Sequence, residues 1–424
     1  RSDSSAASDV YKRQPSKNWL KKQISNSLRN EVSINQNLIK LTFADFLVRS
    51  AYQMGKSPVL PLMAASLGAD ALFLGMIVSV STMTGLGMKP LFGLLSDRWG
   101  RRFWIIGGTL IFTGMPFLYG SIENPTELML LRLAHGLATA IYGPVTLAWV
   151  LDQGRKGCAE RVGWFGIAKN GGYIVGPLAG ASLLSVMEPV EVFTVIGLIS
   201  ILALIPVLML PTEHKNAASG ISWKKQISGS FKAGLGLPEL WIAGGLECFL
   251  YIGLYAVKAF LPLMALSEGI PIIWVGVFFS VQELSHLLLR PLGGRIGDRN
   301  GHLFTAASGL VLASGALWAL PVIPDVSSLI SVSIVFGMAQ ALILPSCVAL
   351  FANQIDYRHT GSGTGFFGSM KNLGKICGPI LGGWLVHHHQ ISWMLWSLSG
   401  LLTLFSLIMF FSLMGRKETL QTSG

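Results

Sequence analysis

The chain has 424 residues, 51% hydrophobic and only 12% charged, with a net charge of +11 and a mean hydropathy of +0.56. Soluble proteins carry about 25% charged residues, so this chain lacks the polar cover for a water-facing surface, and its length suits many spans of about 20 apolar residues. The excess positive charge fits loops on one side of a bilayer better than a nucleic-acid surface.

Residues 1–14 start without Met and carry no pattern; they read as a non-native leader, set apart from the fold. In residues 15–37, Leu20, Ile24 and Leu28 recur every four positions beside Lys21, Lys22 and Arg29. That amphipathic segment suits the inner leaflet of a membrane. Six apolar runs follow at about Leu38–Leu62, Ala71–Leu95, Phe103–Ile122, Glu127–Leu151, Val162–Met187 and Val190–Leu210. With no cleavable signal in view, the first is expected to stay in the membrane. A polar loop, 211–237, holds a second amphipathic segment with Trp223, Ile227, Phe231 and Leu235 beside Lys224 and Lys225. Six more runs fall near Pro238–Leu266, Pro271–Ile296, Leu303–Val322, Val326–Phe351, Gly363–Val386 and Ile391–Met414, before a tail at 415–424. These runs are too long and too continuously apolar for barrel strands. The predicted fold is all-α integral membrane, with 12 transmembrane helices in two six-helix bundles, 38–210 and 238–414.

Loop charge sets the orientation. Connections 1–2, 3–4, 5–6, 7–8, 9–10 and 11–12 contain no Lys or Arg. The alternate loops hold Arg98, Arg101, Arg102, Arg155, Lys156, Arg161, Lys215, Lys224, Lys225, Lys232, Arg299 and Arg358, and the tail has Arg416 and Lys417. The positive-inside rule places both termini in the cytoplasm, expected here at a bacterial inner membrane.

The halves repeat each other. Lys21–Ser25 recurs as Lys224–Ser228, Leu60–Ala64 as Leu261–Ala265, Lys89–Arg98 as Arg290–Arg299, Pro144 as Pro345, and Gly163–Gly180 as Gly365–Gly382, all at offsets of 201 to 203. Each copy is six spans long, so the copies keep one orientation and are related by a pseudo-two-fold axis along the membrane normal.

The segment Gly93-Leu-Leu-Ser-Asp97-Arg98-Trp-Gly100-Arg101-Arg102 resembles the G-x-x-x-D-R-x-G-R-R signature of the major facilitator superfamily. The second copy keeps Gly294, Asp298, Arg299 and Gly301 but has His302 in place of Arg101. The resemblance implies a cytoplasmic gate motif that stabilises the outward-facing state, with Asp152 as partner. Arg132-Leu-Ala-His135-Gly136 is similar to the family's proton-coupling motif. Gly163, Gly172, Gly176, Pro177 and Gly180, repeated as Gly365, Gly374, Gly378, Pro379 and Gly382, look like the antiporter signature of its drug/proton exporters. Small residues at this spacing also allow tight helix packing.

Charges within spans are costly and face a cavity or one another. Those read as interior are Asp45, Arg49, Lys56, Arg132, Lys169, Glu247, Lys258, Glu283, Lys371 and Lys375, and spans 3, 6, 9, 10 and 12 have no interior charge. Asp45 and Arg49, four apart, share a helix face. Asp45 is the first candidate proton carrier; Glu283 and His286 are the second, expected to face Lys371. By a rise of about 1.5 Å per residue, Arg132 lies too far above Asp45 for direct contact. Glu247, Tyr251, Tyr255, Gln340 and Lys371 are the candidate cavity residues, and Trp149, Trp164 and Phe249 could extend an aromatic lining. Cys158, Cys248, Cys347 and Cys377 have no disulfide or zinc spacing. Adjacent His387, His388 and His389 point in different directions, so no metal or other cofactor is expected.

The expected function is secondary active transport by a monomer. Protons would drive export of a small lipophilic or cationic molecule across the lipid bilayer. Uptake by symport or facilitated diffusion is the alternative, and a membrane sensor or scaffold a further one. No nucleophile–base constellation or P-loop supports an enzyme or a primary pump.

Overall fold

A computed structural model describes residues 17–153, 157–211, 238–323, 325–352 and 360–422. Arg155, Lys156, Arg358, the leader and the second amphipathic segment lie outside these residues. The described chain is built from helical rods. The first, α1, runs Lys17–Met54, passes through a π-helical turn at Gly55–Val59 and resumes at Leu60–Ser66. Then come α2 (Ala71–Trp99), α3 (Arg101–Gly114, prolonged by a 3-10 turn to Ser121), α4 (Pro125–Asp152), α5 (Cys158–Leu184) and α6 (Pro189–Leu208). The second half holds α7 (Pro238–Ser267), α8 (Ile272–Asn300), α9 (His302–Ala319, prolonged to Val322), α10 (Val326–Ala352), α11 (Thr360–His388) and α12 (Ile391–Thr422).

Two boundaries differ from the sequence reading. The segment 15–37 is not a separate element, because the backbone of α1 continues from it without a break, and α12 extends through most of the supposed tail. The rods start and stop where local chemistry dictates. Asp70 caps α2 by accepting from the Phe73 N–H at 2.7 Å, and Asn124 caps α4 at 3.0 Å through the Glu127 N–H. Gly100 and Gly301 take φ of +89° and +92° at equivalent turns, which only glycine adopts freely. In α1, Pro58 and Pro61 remove two helix donors, and Ser57 is extended at φ −156°, so the rod breaks at Lys56. The second copy keeps Pro262 alone and α7 is unbroken.

Among the described residues, nine helices are long and apolar enough to cross a membrane by length and composition alone. The rods that fall short, α1, α5 and α11, include those carrying Asp45, Arg49, Lys56, Lys169, Lys371 and Lys375. Of these, Asp45 and Lys56 are buried by protein neighbours. In the first half α1 packs on α5, α2 on α4, and α3 on α4 and α6; in the second half α7 packs on α11, α8 on α10, and α9 on α10 and α12. The halves meet where α2 crosses α11 and α8 crosses α5, so a two-fold exchange of α2 with α8 and α5 with α11 maps the molecule onto itself. The rods α3, α6, α9 and α12 pack mainly within their own halves and expose Leu110, Leu202, Ile205, Trp318, Leu404 and Phe411. An apolar outer belt of this kind suits hydrocarbon rather than water.

Candidate translocation site

Among the described residues, two symmetry-related hydrogen bonds join the halves at one end of the junction. Ser79 on α2 donates to the Ile376 carbonyl on α11 at 2.8 Å. Ser280 on α8 donates to the Ile174 carbonyl on α5 at 2.5 Å. These four residues are partners in the repeat. So are the close approaches beside them: a Cβ on Gly75 would collide with the Pro379 carbonyl, and one on Gly276 with the Pro177 carbonyl. Both seams lie at the end remote from the basic loops. One core cluster runs through both halves there, joining Leu60, Met63 and Ile77 to Tyr255, Phe260 and Phe279. Gly87, Gly93, Gly163 and Gly166 face open space, Trp164 and Leu288 are 61% and 69% exposed, and a second core cluster belongs to the first half alone.

The glycine motifs act through two faces. A Cβ at Gly172 would meet Arg49 Cβ and the Ser50 N–H, one at Gly176 would meet Gln53 and Ser50, and one at Gly180 would meet Met54 backbone, which locks α5 onto α1. Gly374 and Gly378 press on Cys248 and Ile252 backbone, and Gly382 on Ala256 and Phe260, which locks α11 onto α7. The prolines on the opposite face build the seams. Gly163 is not a packing position, since nothing approaches it; the surroundings of Gly365 lie outside the described residues.

Charge pairs line the parting between the halves. Arg49 Nε donates to Asp45 Oδ2 at 3.2 Å, and the Asp45 side chain is fully buried. Its second oxygen, Oδ1, has no hydrogen-bond partner among the described residues. Arg132 is away from this pair, donating to Ser81 Oγ at 2.8 Å and to the Tyr119 hydroxyl at 3.4 Å. His135 also bonds Tyr119, at 3.2 Å. In the second half Lys371 pairs with Glu247 at 3.1 Å. Glu283, expected to face Lys371, makes no ion pair with it among the described residues but acts on it electrostatically from α8. Glu283 lies 3.4 Å from His286 on its own helix. Gln282 donates to Gln340 Oε1 at 2.8 Å.

The aromatic lining is smaller than expected. Trp149 is buried in the first-half core and Phe249 stacks on Phe405 at 4.0 Å. Tyr251 and Tyr255, with centroids 5.9 Å apart, stay at the junction, and Tyr52 joins them from α1 through Lys56. Sequence reasoning noted Lys56, Lys258 and Lys375 as interior charges but gave them no site role. A signal was present for two of them, since Lys56 and Lys258 each stand shortly before a copy of Leu-Pro-Leu-Met-Ala.

At the basic-loop end Arg101 bridges Asp97, at 3.0 Å, and Asp152, tying the ends of α2, α3 and α4 together. Arg102 donates to the Leu208 carbonyl at 2.8 Å. In the second copy His302 lies 3.6 Å from Asp298, the same i,i+4 relation on a weaker cation. Arg98, Gly294 and Arg299 complete the two motifs at the same end.

Two six-helix halves, a two-fold exchange of their interface helices and buried charges between them define a multi-pass membrane transporter rather than an enzyme. The sequence profile of the Major Facilitator Superfamily matches residues 41–329 and 243–423, and the chain belongs to that family. It is 26% identical over 327 residues to the MFS-type transporter YuxJ of Bacillus subtilis (strain 168), covering 75% of this chain and 82% of the relative. It is 24% identical to the quinolone resistance protein NorA of Staphylococcus aureus (strain COL), covering 84% of this chain and 91% of that one. A solved bacterial homologue of the human lysosomal transporter Spinster shares the fold at a TM-score of 0.71 with 14% identity, covering 89% of this chain and 95% of that structure.

Proposed function

We propose that the protein is a secondary active transporter that exchanges protons for small organic molecules by alternating access, exporting the latter from the cytoplasm. The observation that carries this reading is the pair of symmetry-related seams closing the junction at the end remote from the basic loops, which leaves the basic-loop end as the open one in this reading. Rocking the halves about this junction converts one open side into the other. The basic loops flank the open end, so the positive-inside rule makes it the cytoplasmic one in a bacterial inner membrane. Asp45 is the proton carrier. Its Oδ2 is held by Arg49, and its Oδ1, unpartnered among the described residues, is the atom at which a proton would be taken up and released. The quinolone resistance relative supports export over uptake.

The test is flux in liposomes carrying the purified chain, with a pH gradient imposed and a broad panel of organic solutes offered. Substrate-dependent proton movement is expected in the wild type. Asp45→Asn should keep solute exchange without a gradient and lose proton movement. An Asp45→Asn protein that still exchanged solute for protons at the wild-type rate would remove Asp45 from the mechanism. Solute accumulation driven with the proton gradient, rather than against it, would identify uptake.

A further inference from the structure

We infer that the transported molecule is a small organic anion, bearing a carboxylate or phosphate group, held at the junction of α1, α7, α8 and α11. This inference deepens the transport reading above and rests on it. The ammonium groups of Lys56, Lys258 and Lys375 stand 4.8, 5.3 and 5.2 Å from the centroid of one ring, Tyr255. No two of them are therefore more than roughly 10.5 Å apart. Lys371 and Lys375 both stand 4.8 Å from the neighbouring ring of Tyr251. Lys56 and Lys258 are only 6% and 8% exposed.

Carboxylates do not balance this charge. Among the described residues no Asp or Glu lies within ion-pair distance of Lys56, Lys258 or Lys375. Glu247 is engaged by Lys371 and Asp45 by Arg49. Glu283 acts on Lys258 from further off and is itself beside His286. Lys89 and Lys169 add their fields from the open end. Aromatic faces hold a lysine in place, but they cannot neutralise several of them. Intramembrane cations gathered without counter-ions are costly, and such clusters mark ligand sites. Their arrangement also follows the molecular two-fold: Lys56 and Lys258 precede the two Leu-Pro-Leu-Met-Ala copies, and Lys169 and Lys371 occupy one repeat position. An anion entering from the open end would supply the missing charge, and Tyr251 and Tyr255 would contact its apolar part. The same field repels the cationic cargo that the sequence suggested.

The experiment uses the purified full chain in detergent at fixed ionic strength, with four probes on one phenyl frame: benzoate, phenyl phosphate, benzyl alcohol and benzylammonium. Benzoate or phenyl phosphate should raise the melting temperature saturably, and the alcohol and ammonium should not. Lys258→Gln and Lys375→Gln should each weaken the anion at least tenfold, with Lys375→Arg restoring most of it. Equal stabilisation by benzylammonium, no stabilisation by either anion, or unchanged anion binding in both glutamine variants overturns the inference. Stabilisation by phosphatidic acid in mixed micelles, with neither small anion active, also overturns it and assigns the lysines to a lipid headgroup. Counterflow in liposomes separates this from the transport reading. Anion binding without counterflow supports the site and counts against transport; counterflow of benzylammonium but not benzoate keeps transport and overturns the anion site.

Discussion

The Glu247–Lys371 pair illustrates what one contact does in a membrane interior. Glu247 is 3% exposed, and Oε2 has no hydrogen-bond partner among the described residues, so Lys371 is the group that balances it. Removing one member of a fully buried ion pair costs about 3–5 kcal/mol, because the other stays charged and uncompensated; with Lys371 34% exposed the cost here lies below that. Lys371→Gln should lower the melting temperature of the detergent-solubilised chain substantially. Adding Glu247→Gln should recover most of the loss. Asp45→Asn carries no such prediction of recovery, since its expected effect is on proton movement. Neither partner could be assigned from sequence depth alone. Hydropathy locates a residue along its own rod but says nothing about where two rods cross.

At the scale of helices, the glycine motifs separate into positions that touch and positions that do not. Gly172 and Gly374 lie against the neighbouring helix, so Gly172→Ala and Gly374→Ala must push α5 from α1 and α11 from α7. Overpacking of this kind costs about 1–3 kcal/mol. Gly163→Ala meets nothing, and alanine favours helix over glycine by up to about 1 kcal/mol. Melting temperatures of the three variants should fall for the first two and hold or rise for the third. The repeat of the motif was legible in the sequence. Its two-faced use was not: the glycines bind α1 and α7 within each half, while the prolines close the seams between halves. That division depends on how α5 and α11 are rotated about their axes.

For the whole molecule, the end on which the halves meet determines which side can load. Gly75 and Gly276 permit the two seams, so valine at both should prevent that end from closing and favour the opposite open state. In a background without native cysteines, Ser79→Cys reports the change, since Ser79 is fully buried in the closed seam. Labelling by a membrane-impermeant maleimide from the side remote from the basic loops should rise with Gly75→Val and Gly276→Val in place. No change in labelling would show that these contacts do not hold the end shut.

The sequence by itself determined the helical spans, the two-fold repeat, the gate and glycine motifs, and the Asp45–Arg49 pair, because each depends on composition or on spacing along one rod. Only the tertiary structure decided that Lys371 meets Glu247 and that Lys56, Lys258 and Lys375 surround one tyrosine. These contacts join residues on different helices. Crossing point, rotation and the break after Lys56 set them, and no periodicity in the chain encodes those three quantities.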